Sequence, residues 1–171
     1  SKHGSDMTLE KAVTSGRGIA GIADEQDLAD VKQLAGKYGD RSKETLKGLS
    51  TSGVLDSDGV VSKDIASKLG EGGRAALESR IKSAKAFQEA AAMTSAGNTD
   101  VEAIKAKMRE GYNANLSAQD QMGGMSDKEL SSFADSVGGA VGAEARTTLG
   151  ERKSTMANLR RGGVGGVLNK S

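Results

Sequence analysis

The chain has 171 residues with 24 glycines, no proline, no cysteine, no tryptophan and a single histidine. That composition excludes disulfides and thiolate metal sites, and one imidazole, His3, is too little for a zinc or histidine-based catalytic centre within one chain. The net charge is +1 but unevenly placed: from Arg146 to Ser171 six basic residues face Glu151 alone, a net +5, which leaves the rest of the chain at −4.

In chain order, residues 1–7 read as a disordered terminus and 8–15 as a short helix. The glycines of "GRGIAG" (Gly16, Gly18, Gly21) spell a dinucleotide fingerprint. No buried strand precedes them and no βαβ unit follows, so they read as a linker. Asp24 and Asp27 then stand before Leu28, Val31, Leu34, Ala35 and Tyr38, a helical run that stops at Gly39. Ser42 caps a short helix through Leu46 and Leu49. The stretch "TSGVLDSDGVV", residues 51–61, is a loop. Aligned as a calcium loop on Gly59, it would put Val54 and Ile65 where oxygen ligands are required, so it reads as an Asp-Gly turn.

Ser62 opens a helix that ends at Gly70. Arg74 to about Ala96 follow as a long alanine-rich helix, with Leu77, Ile81, Ala84 and Ala91 on one face. Thr99 and Glu102 make a capping box for Val101, Ile104, Met108 and Tyr112, and Ser126 with Glu129 makes another. Leu130, Phe133, Val137, Val141, Ala145, Leu149, Met156 and Leu159 then form one very long helix or two broken near Gly150. Gly138, Gly139 and Gly142 either pack helices closely or mark a helix–loop–helix. Residues 162–171 read as a flexible, glycine-rich basic tail.

The sum is an all-α protein: a bundle of about six to seven helices with glycine-rich joints and flexible termini. The helical domain spans 8–161, with room for a subdivision near 113–125. Its only aromatics are Tyr38, Phe87, Tyr112 and Phe133, so aliphatic residues, methionine and alanine must fill the core. So thin a core predicts modest stability for the isolated chain, or a partner that completes it. No apolar run approaches the ~20 residues of a membrane span, and no signal segment is expected. A soluble chain of unassigned compartment is the expectation, cytoplasmic or tied to a virion or secretion machine.

One stretch carries a resemblance. "SKDIASKLG", with Ile65, Ala66, Leu69 and Gly70, resembles the first helix of helix-turn-helix proteins, and the likeness extends from Ser62 to Ser83. It implies DNA binding, with Arg74, Ser79 and Arg80 of the following helix as the groove-facing side chains. The departures are a loose "EGG" turn, Leu77 one residue beyond the family's core position, and a net acidic body.

The functional expectation is a non-enzymatic helical interaction or assembly protein, a structural or accessory component of a larger assembly. It would bind a protein partner or itself through Gly138, Gly139 and Gly142. Arg152, Lys153, Arg160, Arg161 and Lys170 would form a basic C-terminus for an anionic surface, nucleic acid included. No cofactor and no metal is expected. The alternatives are the helix-turn-helix DNA binder and, third, an enzyme using carboxylates alone, which would require an enclosed pocket to raise one pKa.

Overall fold

A computed structural model describes residues 28–159 of the chain. These form five helices: α1 (Leu28–Thr51), α2 (Lys63–Ser95), α3 (Val101–Gly123), α4 (Asp127–Val137) and α5 (Gly139–Asn158). Among the described residues there is no strand, only an isolated antiparallel bridge between Leu55 and Val61. The all-α expectation holds. The expected count of six to seven does not, and the helix expected at 8–15 lies outside the described residues, as do 1–7 and 162–171.

One of the expected breaks is absent, and another is narrower than expected. Gly39 does not end α1, because its bare Cα is where α2 comes closest: a Cβ there would collide with the Cβ of Ala91. Tertiary contact thus overrides the weak helix propensity of glycine. Ser42 is accordingly mid-helix and buried rather than a cap. The helix that Ser62 opens does break at Gly70, as expected, but no turn runs through "EGG". Glu71, Gly72 and Gly73 are helical, and the only non-helical residue within α2 is Gly70, at φ 71° and ψ −178°.

Other boundaries differ by a residue or two. α3 is capped by Asp100, whose side chain accepts from the amide of Ala103, so Thr99 is not the cap. The second box forms as read: Ser126 Oγ accepts from Glu129 N at 3.1 Å, and Glu129 Oε1 accepts from Ser126 N at 2.9 Å. The stripe from Leu130 onward is two helices broken at Gly138, not at Gly150. Gly138 takes φ 62° and ψ −166°, a conformation closed to most L-residues. In the 51–61 loop, Asp56 Oδ1 accepts from the amides of Asp58 and Val60 at 2.8 and 3.0 Å, which uses that carboxylate to hold the turn.

α1, α2 and α3 run antiparallel to their chain neighbours, and two apolar clusters form along them. One gathers Leu49, Leu77, Ile81 and Met122 with the inward faces of α4 and α5: Leu130, Phe133, Val137, Val141 and Ala145. The other, toward the opposite ends of α1, α2 and α3, gathers Val31, Ala35, Phe87, Ala90, Ile104, Met108 and Tyr112. Between them each of the three helices carries small or polar residues instead. These are Gly39 and Ser42 on α1, Arg80 and Ser83 on α2, and Gly111 and Asn115 on α3.

The α4–α5 hairpin depends on Gly142, where a Cβ would stand 2.8 Å from the carbonyl oxygen of Ala134. Gly142→Ala is expected to destabilise the protein by about 1–3 kcal/mol, because the methyl meets backbone that cannot rotate aside. Gly150→Ala, with nothing within 4 Å of its new Cβ, is expected to add up to about 1 kcal/mol. Urea unfolding of both variants measures the contrast.

Glu129 is held below the ordinary glutamate value of 4.5, first by its hydrogen bond with the Ser126 backbone and then by the Ser126 hydroxyl. A depressed folded pKa gives stability that is present above the unfolded value and lost as pH falls through the folded one. Unfolding measured at falling acid pH is expected to show that loss in the native protein. Glu129→Gln keeps a capping amide without the titration and is expected to lack that part of the pH dependence.

Candidate functional site

The sharpest concentration of buried polar chemistry lies in the seam between the two apolar clusters. Arg80 reaches from α2 to both neighbours. One terminal nitrogen donates to Asn115 Oδ1 on α3, and the other meets Glu144 Oε2 on α5 at 3.1 Å. Its Nε and the Oε1 of Glu144 are buried without a hydrogen-bond partner. Beside it Ser83, 3% exposed, donates from Oγ to the Gly111 carbonyl at 2.6 Å. Gly111 has no room for a side chain: a Cβ would lie 2.8 Å from the Phe87 ring. The serine hydroxyl and the bare glycine together let α2 and α3 touch at this level.

On the α1 side the seam opens into a pocket of about 170 Å³. Ser42, Arg41 and Thr45 of α1 line it, with Arg80 and Ser83 of α2 and Tyr112 and Asn115 of α3. Its apolar wall is Phe87 and Tyr38, whose rings stack at a centroid distance of 5.1 Å and 22° between planes. The Arg41 guanidinium lies over the Tyr38 ring, 5.9 Å from its centroid. Thr45 Oγ1 donates back to the Arg41 carbonyl at 3.1 Å.

The residues expected to read DNA do not form a row. Arg74 is exposed, Ser79 donates to Gln121 Oε1 of α3 at 3.1 Å, and Arg80 is committed to Asn115 and Glu144. Of the basic C-terminal set, Arg160, Arg161 and Lys170 lie outside the described residues. Arg152 is turned inward. Its guanidinium donates to the carbonyls of Met125 at 2.8 Å and Gly123 at 3.1 Å, and to Asp127 at 2.9 Å. It therefore caps the C-terminus of α3, where free carbonyls and the helix dipole favour a cation. Arg146 pairs with Asp135 of α4 at 2.7 Å, an exposed pair that adds little stability. Lys153 is exposed and makes no ion pair among the described residues.

The three glycines have separate roles. Gly138 and Gly139, both at positive φ, make the α4–α5 turn, and Gly142 makes the close approach. A serine and an arginine interrupting the Leu77–Ile81–Ala84 stripe are the available signal for the seam, but their partners Asn115 and Glu144 stand in stretches with no marked pattern. Lys105 is equally unmarked in the sequence: it is 2% exposed, with Nζ 3.1 Å from Glu102. Lys107, between Glu89 at 2.8 Å and Glu110 at 3.1 Å, is raised above its ordinary pKa by those hydrogen bonds, Glu89 foremost. Among the described residues no three His, Cys, Asp or Glu side chains are grouped to hold a metal ion, and no helix is long and apolar enough to cross a membrane.

The sequence matches no protein-family model, no curated protein and no solved structure.

Arg80 joins α2, α3 and α5 while largely removed from water, so its truncation leaves an amide and a carboxylate without their partner. Arg80→Ala is expected to cost about 2–4 kcal/mol, more than an exposed ion pair. Replacing Arg80 and Glu144 together by Met and Leu is expected to recover part of that loss. Chemical denaturation of the single and double variants gives both values.

Proposed function

We propose that the protein is a non-enzymatic interaction module that works within a larger assembly, and that the end of α5 carries the contact. The observation behind this reading is the contrast within α5. Val141, Gly142 and Ala145 are buried against the bundle, and Arg152 ties the helix to the end of α3. From Lys153 to Asn158 every residue is exposed, and Met156 is 49% exposed, one of two large apolar side chains so placed among the described residues. A helix held at one end and exposed at the other, with a cation beside a flexible apolar side chain, suits capture of a partner surface. The sequence continues with Arg160 and Arg161, which extends the positive charge and favours an acidic protein partner.

A polyglutamate peptide and a random-sequence DNA duplex serve as probes, each titrated at several salt concentrations. The peptide is expected to bind the full chain, with affinity falling as salt rises. The paired change Lys153→Glu and Met156→Asp is expected to weaken that binding about tenfold or more while leaving the melting temperature unchanged, since neither side chain supports the core. No peptide binding, or binding indifferent to both changes, overturns the proposal. Sequence-preferring DNA binding that is lost in Arg74→Ala would assign the function to the α2 segment instead.

A further inference from the structure

We propose that the α4–α5 hairpin exchanges between two copies of this chain, each hairpin packing on helices α1–α3 of the other copy. The exchange uses neither Lys153 nor Met156, so it stands or falls separately from the contact at the end of α5. The hairpin closes one end of the bundle: Leu130, Phe133 and Val141 complete the apolar cluster that Leu49, Leu77 and Ile81 begin. Its covalent link to the other three helices is the stretch Gly124, Met125 and Ser126 between α3 and α4. Three residues are toward the short end of the about 2–8 that join packed helices. Short hinge connections favour exchange, because a second copy offers the same surface without the tight reversal.

The observation that points to a pivot is the pair Gly123 and Gly124. Gly138 turns the chain at φ 62°, and Gly142 lets two helices touch. Gly123 and Gly124 do neither. Gly124 has right-handed helical angles, φ −86° and ψ −6°. A Cβ on Gly123 would meet nothing within 4 Å, and one on Gly124 would make only ordinary contacts at 3.7 and 3.8 Å. Alanine fits both places and would hold the end of α3 more firmly. The closed turn therefore does not require these two glycines, whereas a hairpin that swings about this connection does. Arg152 bears on the same place. It grips the carbonyls of Gly123 and Met125 before the α4 start and Asp127 after it, which holds the turn shut. Swinging out bares Leu77 and Leu130, each 0% exposed in the closed form, and so large an apolar surface does not stay open to water. A second open copy brings the identical hairpin. The apolar contacts and the Arg80–Glu144 pair then re-form between the chains, and the connection alone changes.

The experiment holds the full chain at high concentration in urea near its unfolding midpoint and then returns it to buffer. Size-exclusion chromatography with light scattering separates the products. A dimer that persists on dilution is expected. Inserting Gly-Ser-Gly-Ser after Gly124 relieves the short connection and is expected to abolish that dimer while the monomer still folds. Exchange is read by charge reversal. Arg80→Glu or Glu144→Arg alone sets like charges against each other within one closed chain. An exchanged dimer with one copy of each variant restores two opposite-charge pairs, each made between chains. The two variants refolded together are expected to give that mixed dimer, melting above either variant alone. Lys153→Glu with Met156→Asp is expected to leave dimer formation unchanged. No dimer from the unaltered chain, a dimer that survives the insertion, or charge variants that do not combine would each overturn the proposal. A dimer lost in the Lys153 and Met156 variant would overturn it too, and would assign self-association to the end of α5.

Discussion

With four aromatic side chains available, the bundle closes because its helices come unusually near one another. Three glycines set the distance. Gly39 lies against Ala91, a Cβ on Gly111 would be 2.8 Å from the Phe87 ring, and one on Gly142 would be 2.8 Å from the Ala134 carbonyl. Each sits inside a helix, where glycine is intrinsically unfavourable by up to about 1 kcal/mol. Dispersion between closely apposed helices outweighs that penalty, and it weakens steeply once a gap opens. Alanine acts in the same way on the facing surfaces: Ala76, Ala90, Ala118, Ala134 and Ala145 are all fully buried. The thin core is therefore not a loose one. It is a core in which backbone replaces side chain as the filling.

Close approach has an electrostatic counterpart. Where helices meet through glycine and serine, their backbone carbonyls come within reach of polar side chains, and the seam uses this. Ser83 binds the Gly111 carbonyl, and Arg152 gathers carbonyls at the end of α3. Arg80 and Arg152 together attach the α4–α5 hairpin to the three longer helices, one at mid-height and one at the end. Two cations that charge counting would assign to solvent or to a partner are thus structural. The surface charge left for recognition is smaller than the composition implies, and Lys153 stands out within it.

Much of the fold is legible in the sequence, and the failures share one cause. Fold class, the α2 start at Ser62, the Ser126–Glu129 box and most core positions follow from periodicity and capping chemistry, which are local. Gly39, Gly73 and Gly150 read as breaks or joints because glycine is locally a breaker. All three are helical, and at Gly39 the reason is a helix more than forty residues away in sequence. Gly70 and Gly138, which do break, look the same in one dimension. The seam is less legible still. Arg80, Asn115 and Glu144 come from three helices, and no spacing rule connects them.

The order of the helices along the chain has a kinetic consequence. α1 meets α2, α2 meets α3 and α4 meets α5, each pair joined by a short connection. Such pairings close small loops and form quickly. The return of α5 onto α1, where Val137–Val141 faces Thr45, Gly48 and Leu49, spans most of the described chain and carries the larger entropic cost. Assembly would then finish with one docking event, a preformed hairpin of α4 and α5 settling on three helices already in place. The reverse of that event would release α4 and α5 together, and it would open the apolar cluster that they share with Leu49, Leu77 and Ile81.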